Sequence, residues 1–142
     1  MPHAHGDLEM RPLTPDETEG KFRKGLAQFN RGQYFAAHET WEEIWLPAAE
    51  PEKTFLQGII QVAAAFHHYT RGNREGTQSL LAAGLRKLDR FPPSNRGLKL
   101  EKLRRAVRRW LSALEAGKSP RREEFPQINF MPGHSRKVFT KN

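Results

Sequence analysis

Two stretches of this 142-residue chain place polar side chains at spacings that could do chemistry. In Tyr34-Phe35-Ala36-Ala37-His38-Glu39-Thr40-Trp41-Glu42-Glu43-Ile44-Trp45, the residues Tyr34, His38, Trp41 and Trp45 recur at steps of 4, 3 and 4. That is one face of a helix, and Glu42 borders it one turn after His38. An imidazole and a carboxylate so placed can share a divalent metal or hydrogen-bond directly. Further on, Gln57, Gln61, Ala64 and His68 repeat the same steps, the two glutamines inside the apolar run FLQGIIQVAAAF. A buried amide without a partner costs about 1–3 kcal/mol, so these glutamines need partners.

One histidine and one glutamate are half of a metal site. A zinc metalloprotease helix brings two histidines around its glutamate, and di-iron bundles draw carboxylates from four helices. Glutamine is a poor ligand for zinc or iron. His67, His68, Glu39 and Glu43 could complete a set, but no spacing sends them there. The pattern therefore favours a structural His–Glu–Gln hydrogen-bond network, with metal binding and acid–base catalysis as the alternatives. There is no glycine-rich phosphate loop and no Gly-x-Ser-x-Gly nucleophile turn. No cofactor is called for with certainty, and a divalent metal is the candidate. His3 and His5 are read as part of a loose terminus.

The elements that position these residues are helical. Thr14-Pro15-Asp16-Glu17 is a helix start with a capping box and proline in the first turn. Phe22, Leu26 and Phe29 form the stripe of a first helix ending at Gly32. A second helix runs from Gln33 to Leu46 and stops at Pro47, and a third runs from Pro51 to Gly72. Asn73 caps a fourth, with Leu80, Leu81, Leu85 and Leu88 on its apolar face, broken at Phe91-Pro92-Pro93. Ser94 or Asn95 caps a fifth, in which Leu100, Leu103, Val107, Trp110 and Leu114 step along one side until Gly117. The fold expected is all-α, a compact bundle of about five helices built from antiparallel hairpins. The short loop from Pro47 to Glu50 makes helices two and three antiparallel neighbours, with facing residue numbers summing to about 98. That register sets Glu42 near Gln57 and His38 near Gln61, in a buried cluster walled by Tyr34, Trp41 and Trp45.

Three regions follow: a flexible N-terminus over 1–13, a helical domain over 14–117, and a Pro-containing basic tail over 118–142. The tail holds Phe125, Ile128, Phe130, Val138 and Phe139, too many large apolar groups for a solvated segment, so part of it packs on the domain.

Charge is polarised along the chain. Residues 1–70 carry 6 Lys/Arg and 10 Asp/Glu, a net of −4, and residues 71–142 carry 18 and 6, a net of +12. On the fifth helix Lys99, Lys102, Arg104, Arg105, Arg108 and Arg109 are read as covering the side away from Leu103, Val107 and Trp110. A solvated face is the plain reading. A polyanion contact through Lys102, Arg105, Arg108 and Arg109, to nucleic acid or an acidic protein, is the alternative. With no cysteine, disulfides, thiolate metal sites and a cysteine nucleophile are excluded. The apolar stretch Phe55 to Phe66 is too short to span a bilayer, and MPHAHGDLEM does not read as a signal peptide. A cytoplasmic protein without membrane contact is expected, of open oligomeric state, with an unidentified protein as its partner.

The pattern His38-x-x-x-Glu42-x-x-Trp45 is preceded by Phe29-Asn30-x-Gly32-x-Tyr34-Phe35-x-Ala37 and followed by Leu56-Gln57-Gly58 and Gly72-Asn73. Over roughly residues 20–90 it resembles the family called domain of unknown function 309. The resemblance implies a compact all-helical bacterial or archaeal protein without an assigned activity. It also implies a motif suggested to bind metal, which falls here on His38 and Glu42 with Trp45 beside them. The function expected is a non-enzymatic interaction or scaffold domain organised around the polar cluster. A metal-binding protein, in the hydrolase direction, and a polyanion-binding module are the alternatives.

Overall fold

A computed structural model describes residues 11–134. His3, His5, Val138 and Phe139 lie outside the described residues, as do most of the N-terminal segment and the end of the tail. Among the described residues five helices follow one another: α1 (Pro15–Asn30), α2 (Tyr34–Trp45), α3 (Glu52–Thr70), α4 (Arg74–Leu88) and α5 (Leu100–Glu115). Each packs on the next in sequence, so the bundle is a stack of hairpins. Among the described residues there are no strands, only an isolated bridge between Leu98 and Phe130. Among the described residues no helix is long and apolar enough to cross a membrane.

The local chemistry of the ends explains the boundaries. At α1 the capping box is closed in both directions: Glu17 N donates to Thr14 Oγ1 at 3.0 Å, and Thr14 N donates to Glu17 Oε1 at 2.9 Å. Hydrogen bonds from the Arg11 guanidinium and then from the Thr14 amide hold the Glu17 carboxyl down at about 2. Helices α1 and α3 end alike. Gly32 and Gly72 adopt φ of +80° and +79°, and the residue after each donates back to the carbonyl of Gln28 or His68. This is the Schellman closure, which reverses the chain in three residues and lets the next helix lie back antiparallel.

The α1/α2 contact is close because Gly25 has no side chain. A Cβ there would stand 2.1 Å from Trp41 Nε1, which donates to the Phe22 carbonyl at 3.1 Å. Helices α3 and α4 cross at a glycine pair, Gly58 and Gly84; a Cβ on Gly84 would lie 2.9 Å from the Gly58 carbonyl.

The fifth helix starts later than the sequence suggests. Ser94 and Asn95 open a short 3-10 turn, Asn95–Gly97, not the α-helix, which begins at Leu100 with no side-chain cap. The cause is Arg96. It takes φ +54°, lays its guanidinium 3.9 Å over the Phe22 ring and pairs with Glu19 and Glu52. The chain must turn at that anchor, and the Pro93 carbonyl then receives the amides of Leu100 and Glu101 in place of a cap.

Beyond α5, residues 118–134 cross the bundle as a strap. Tyr69 Oη donates to the Pro120 carbonyl at 2.6 Å, and Trp110 Nε1 donates to that of Glu124 at 2.9 Å. The Phe125 ring stacks on Trp110, centroids 5.1 Å apart, within a box completed by Tyr34, Phe66 and Tyr69. The Asn30 amide grips both main-chain groups of Ile128, accepting from its N–H at 2.8 Å and donating to its carbonyl at 3.0 Å. Ile128 is buried.

Candidate functional site

The face of α2 that enters the core is Tyr34, Ala37, Thr40, Trp41 and Ile44. On a helix, adjacent residues stand about 100° apart. His38, one position beyond Ala37, is therefore carried to the edge of the core, and Glu42 beyond it to the surface. The His38 side chain is 24% exposed and that of Glu42 51%, with His38 Nε2 3.4 Å from Glu42 Oε2. The His38 ring stacks on Phe35, centroids 5.7 Å apart, and Phe35 also meets His67 at 5.1 Å. Phe35 is itself half exposed, and Leu46 at the far end of the same helix is 70% exposed. Phe35, His38, Glu42 and Leu46 thus form an outer stripe along α2.

The antiparallel register of α2 and α3 is the one expected near their loop. Lys53 lies 4.4 Å over the Trp45 ring and donates to the Leu46 carbonyl at 2.9 Å. Phe35 opposite His67 continues the alignment with a small drift. The sealed cluster does not form, however. Gln61 Oε1 accepts from Lys87 Nζ of α4 at 3.0 Å, since the next helix offers a charged donor, and Glu42 faces water. Gln57 is partly buried and makes no side-chain hydrogen bond among the described residues. Tyr34 belongs to the aromatic box on the opposite side of the core, 5.1 Å from Phe29 and 5.6 Å from Phe66. Trp41 turns toward α1.

Two polar atoms of the motif are left buried and unpartnered among the described residues, His38 Nδ1 and Trp45 Nε1. Burial, with Arg71, His68 and His38 nearby, pushes the His67 imidazole below its ordinary value of 6.5. His68 is engaged with the Asn73 amide at 2.9 Å, and Glu43 with Lys21 at 2.7 Å. Among the described residues no three His, Cys, Asp or Glu side chains come together as a metal would require. His38 and Glu42 are two donors already facing each other, which does not fit a closed metal site.

The basic helix divides in two. Arg104 is buried, not solvated, contrary to its expected place on the outer side. Its guanidinium donates to the carbonyls of Leu88 at 2.7 Å and Phe91 at 2.9 Å, closing the exposed end of α4, and pairs with Glu101. Arg108 is tied to Asp89 at 2.7 Å, and Arg105, 71% exposed, lies 3.5 Å from Glu101. Lys102 and Arg109 have no carboxylate within 4 Å among the described residues.

Phe35 escaped the sequence reading although a signal was present. Tyr34 and Phe35 are adjacent, so a helix cannot send both rings into one core. Lys87 and Asn30 gave no comparable signal, because their roles depend on which helix comes next and where the strap passes.

These features define a small stack of helical hairpins carrying an open histidine–glutamate pair on an exposed helix face. Residues 22–80 match the family named Domain of unknown function (DUF309). The segment holds His38, Glu42, Trp45, Gln57 and Gln61, and leaves out α5 and the strap. The chain is also similar to an uncharacterized protein of Aquifex aeolicus (strain VF5), 30% identical over 93 residues, which are 65% of this chain and 28% of that protein. It thus spans well under a third of that relative's length.

Proposed function

We propose that this domain is a non-enzymatic interaction module whose partner docks on the outer stripe of α2. The observation that supports it most is the exposure of Phe35 and Leu46 at the two ends of that stripe, with His38, Glu39 and Glu42 between them. Exposed large aromatics and leucines on a rigid helix are what a partner buries, and carboxylates between them select a cationic complement. The partner fitting this surface is an amphipathic, basic protein segment. A photoreactive residue at Leu46 in cells is expected to cross-link such a segment, and Phe35→Glu is expected to abolish the adduct. The same adducts from a probe at exposed Arg86 would overturn the reading.

The competing metal reading draws support from the unpartnered His38 Nδ1 beside the Glu42 pair. Elemental analysis of tag-free protein separates the two. The interaction reading expects no stoichiometric metal. One divalent ion per chain, lost in the His38→Ala, Glu42→Ala double variant, would establish metal binding instead.

A further inference from the structure

A second surface, independent of the α2 stripe, lies between α5 and the strap. A groove of about 470 Å³ runs there, within the size range of ligand clefts. One wall is Lys102, Ala106 and Arg109 of α5; the other is Pro126, Gln127 and Asn129 of the strap. Its small side chains leave room over the Trp110–Phe125 pair, which also borders it.

The strap wall is a main-chain edge. Successive residues of extended chain turn their N–H and C=O groups to opposite sides. Ile128 spends both of its groups on Asn30. Asn129, next in line, points the other way, and its carbonyl accepts from Lys99 N at 2.8 Å where α5 is about to begin. Gln127, two residues back, is assigned the same side by that alternation. Its N–H and carbonyl have no partner among the described residues, and neither does the Asn129 N–H. The α5 wall supplies Lys102 and Arg109, two cations with no carboxylate within 4 Å among the described residues. An unpaired main-chain edge facing two unpaired cations is the complement of an extended chain with acidic side chains. Glu123 and Glu124 also line the groove, Glu124 accepting from the Arg121 N–H at 3.0 Å, so the acidic side chains of a bound chain are met by Lys102 and Arg109.

We propose that the groove between α5 and the strap docks an extended acidic peptide segment of a partner protein. The peptide pairs its main chain with the strap edge at Gln127 and sets carboxylates on Lys102 and Arg109. Main-chain pairing is what distinguishes this from attraction to any polyanion, and it makes the contact periodic in twos.

The experiment measures fluorescence anisotropy of the full chain with a labelled glutamate-rich octapeptide, its glutamine counterpart, and a single-stranded oligonucleotide of equal charge. The acidic peptide is expected to bind, and the glutamine peptide and oligonucleotide to bind about tenfold more weakly or not at all. Lys102→Glu and Arg109→Glu, each made singly, are expected to weaken binding several-fold, and the charge-matched Arg105→Glu, outside the groove, little. Peptides N-methylated at alternate positions should divide into one register that loses binding and one that keeps it. Thermal unfolding of each variant reports whether its fold is intact. Absence of peptide binding, an oligonucleotide binding as tightly, equal loss with Arg105→Glu, or indifference to N-methyl register would each overturn the proposal. None of these outcomes bears on the α2 stripe, which shares no residue with the groove.

Discussion

Tyr34 shows how a single side chain reports the packing around it. It is buried against Phe29, Phe66 and Phe125, and burial raises its phenol to about 12, with Arg122 pulling weakly the other way. The charged form is disfavoured because the rings cannot solvate a phenolate. Between its ordinary value of 10 and about 12 the unfolded chain gives up the proton first, so stability falls as pH rises through that window. A near-ultraviolet titration should show a late tyrosine ionisation, and Tyr34→Phe should remove that step. A late step that survives in Tyr34→Phe, or its absence from the unaltered chain, would contradict the box. The motif residues follow the same rule of position. Taking Tyr34, His38, Trp41 and Trp45 as one face rotates the helix slightly from its true buried face, Tyr34, Ala37, Trp41 and Ile44. That small rotation separates a sealed polar cluster from an exposed one, and on a 12-residue helix the apolar pattern alone leaves it undetermined.

At the scale of elements, glycines decide how closely helices approach. Gly20 and Gly25 sit in the same helix, yet a Cβ at Gly20 meets nothing within 4 Å and one at Gly25 meets the Trp41 indole at 2.1 Å. Gly20→Ala should stabilise the fold by about 0.5–1 kcal/mol through helix propensity. Gly25→Ala should destabilise it by about 1–3 kcal/mol, as overpacking does, since Trp41 is fixed by its bond to the Phe22 carbonyl. Denaturant midpoints of the two variants test this, and shifts of the same sign would refute the close packing of α1 on α2. Signals confined to one element were readable from the residues: the Thr14–Glu17 box, the Gly32 and Gly72 endings and the Asn73 cap all stand where the chain implied. The α5 start was not readable, because Arg96 holds the preceding turn through Glu19, Glu52 and Phe22, all distant in sequence. Arg104 was hidden likewise. Its partners are the open carbonyls at the end of α4, and a basic helix face gives no sign of which cation will turn inward.

Across the whole molecule the strap is the element that ties distant helices together. Its path depends on Asn30 at the end of α1, Tyr69 at the end of α3 and Trp110 in α5, and none of these pairings leaves a periodic trace in sequence. If the strap holds as one unit, its anchors must be coupled. Phe125→Ala is expected to cost about 3 kcal/mol, the low end for such a truncation because the ring is only partly buried. Asn30→Ala leaves the N–H and carbonyl of Ile128 without their partner, at about 1–3 kcal/mol. Once either anchor is lost and the strap lifts, the other has little left to contribute, so the double variant should cost clearly less than the two single losses together. Asn30→Asp refines the test: it keeps an acceptor for the Ile128 N–H but turns an oxygen on the Ile128 carbonyl, so it should restore little. A denaturant double-mutant cycle gives the coupling, and hydrogen exchange at the Ile128 amide should rise in each single variant. Strict additivity, with the Ile128 amide still protected in Phe125→Ala, would mean that the strap is held by separate local contacts. The edge at Gln127 would then not be presented to the α5 groove as one rigid wall.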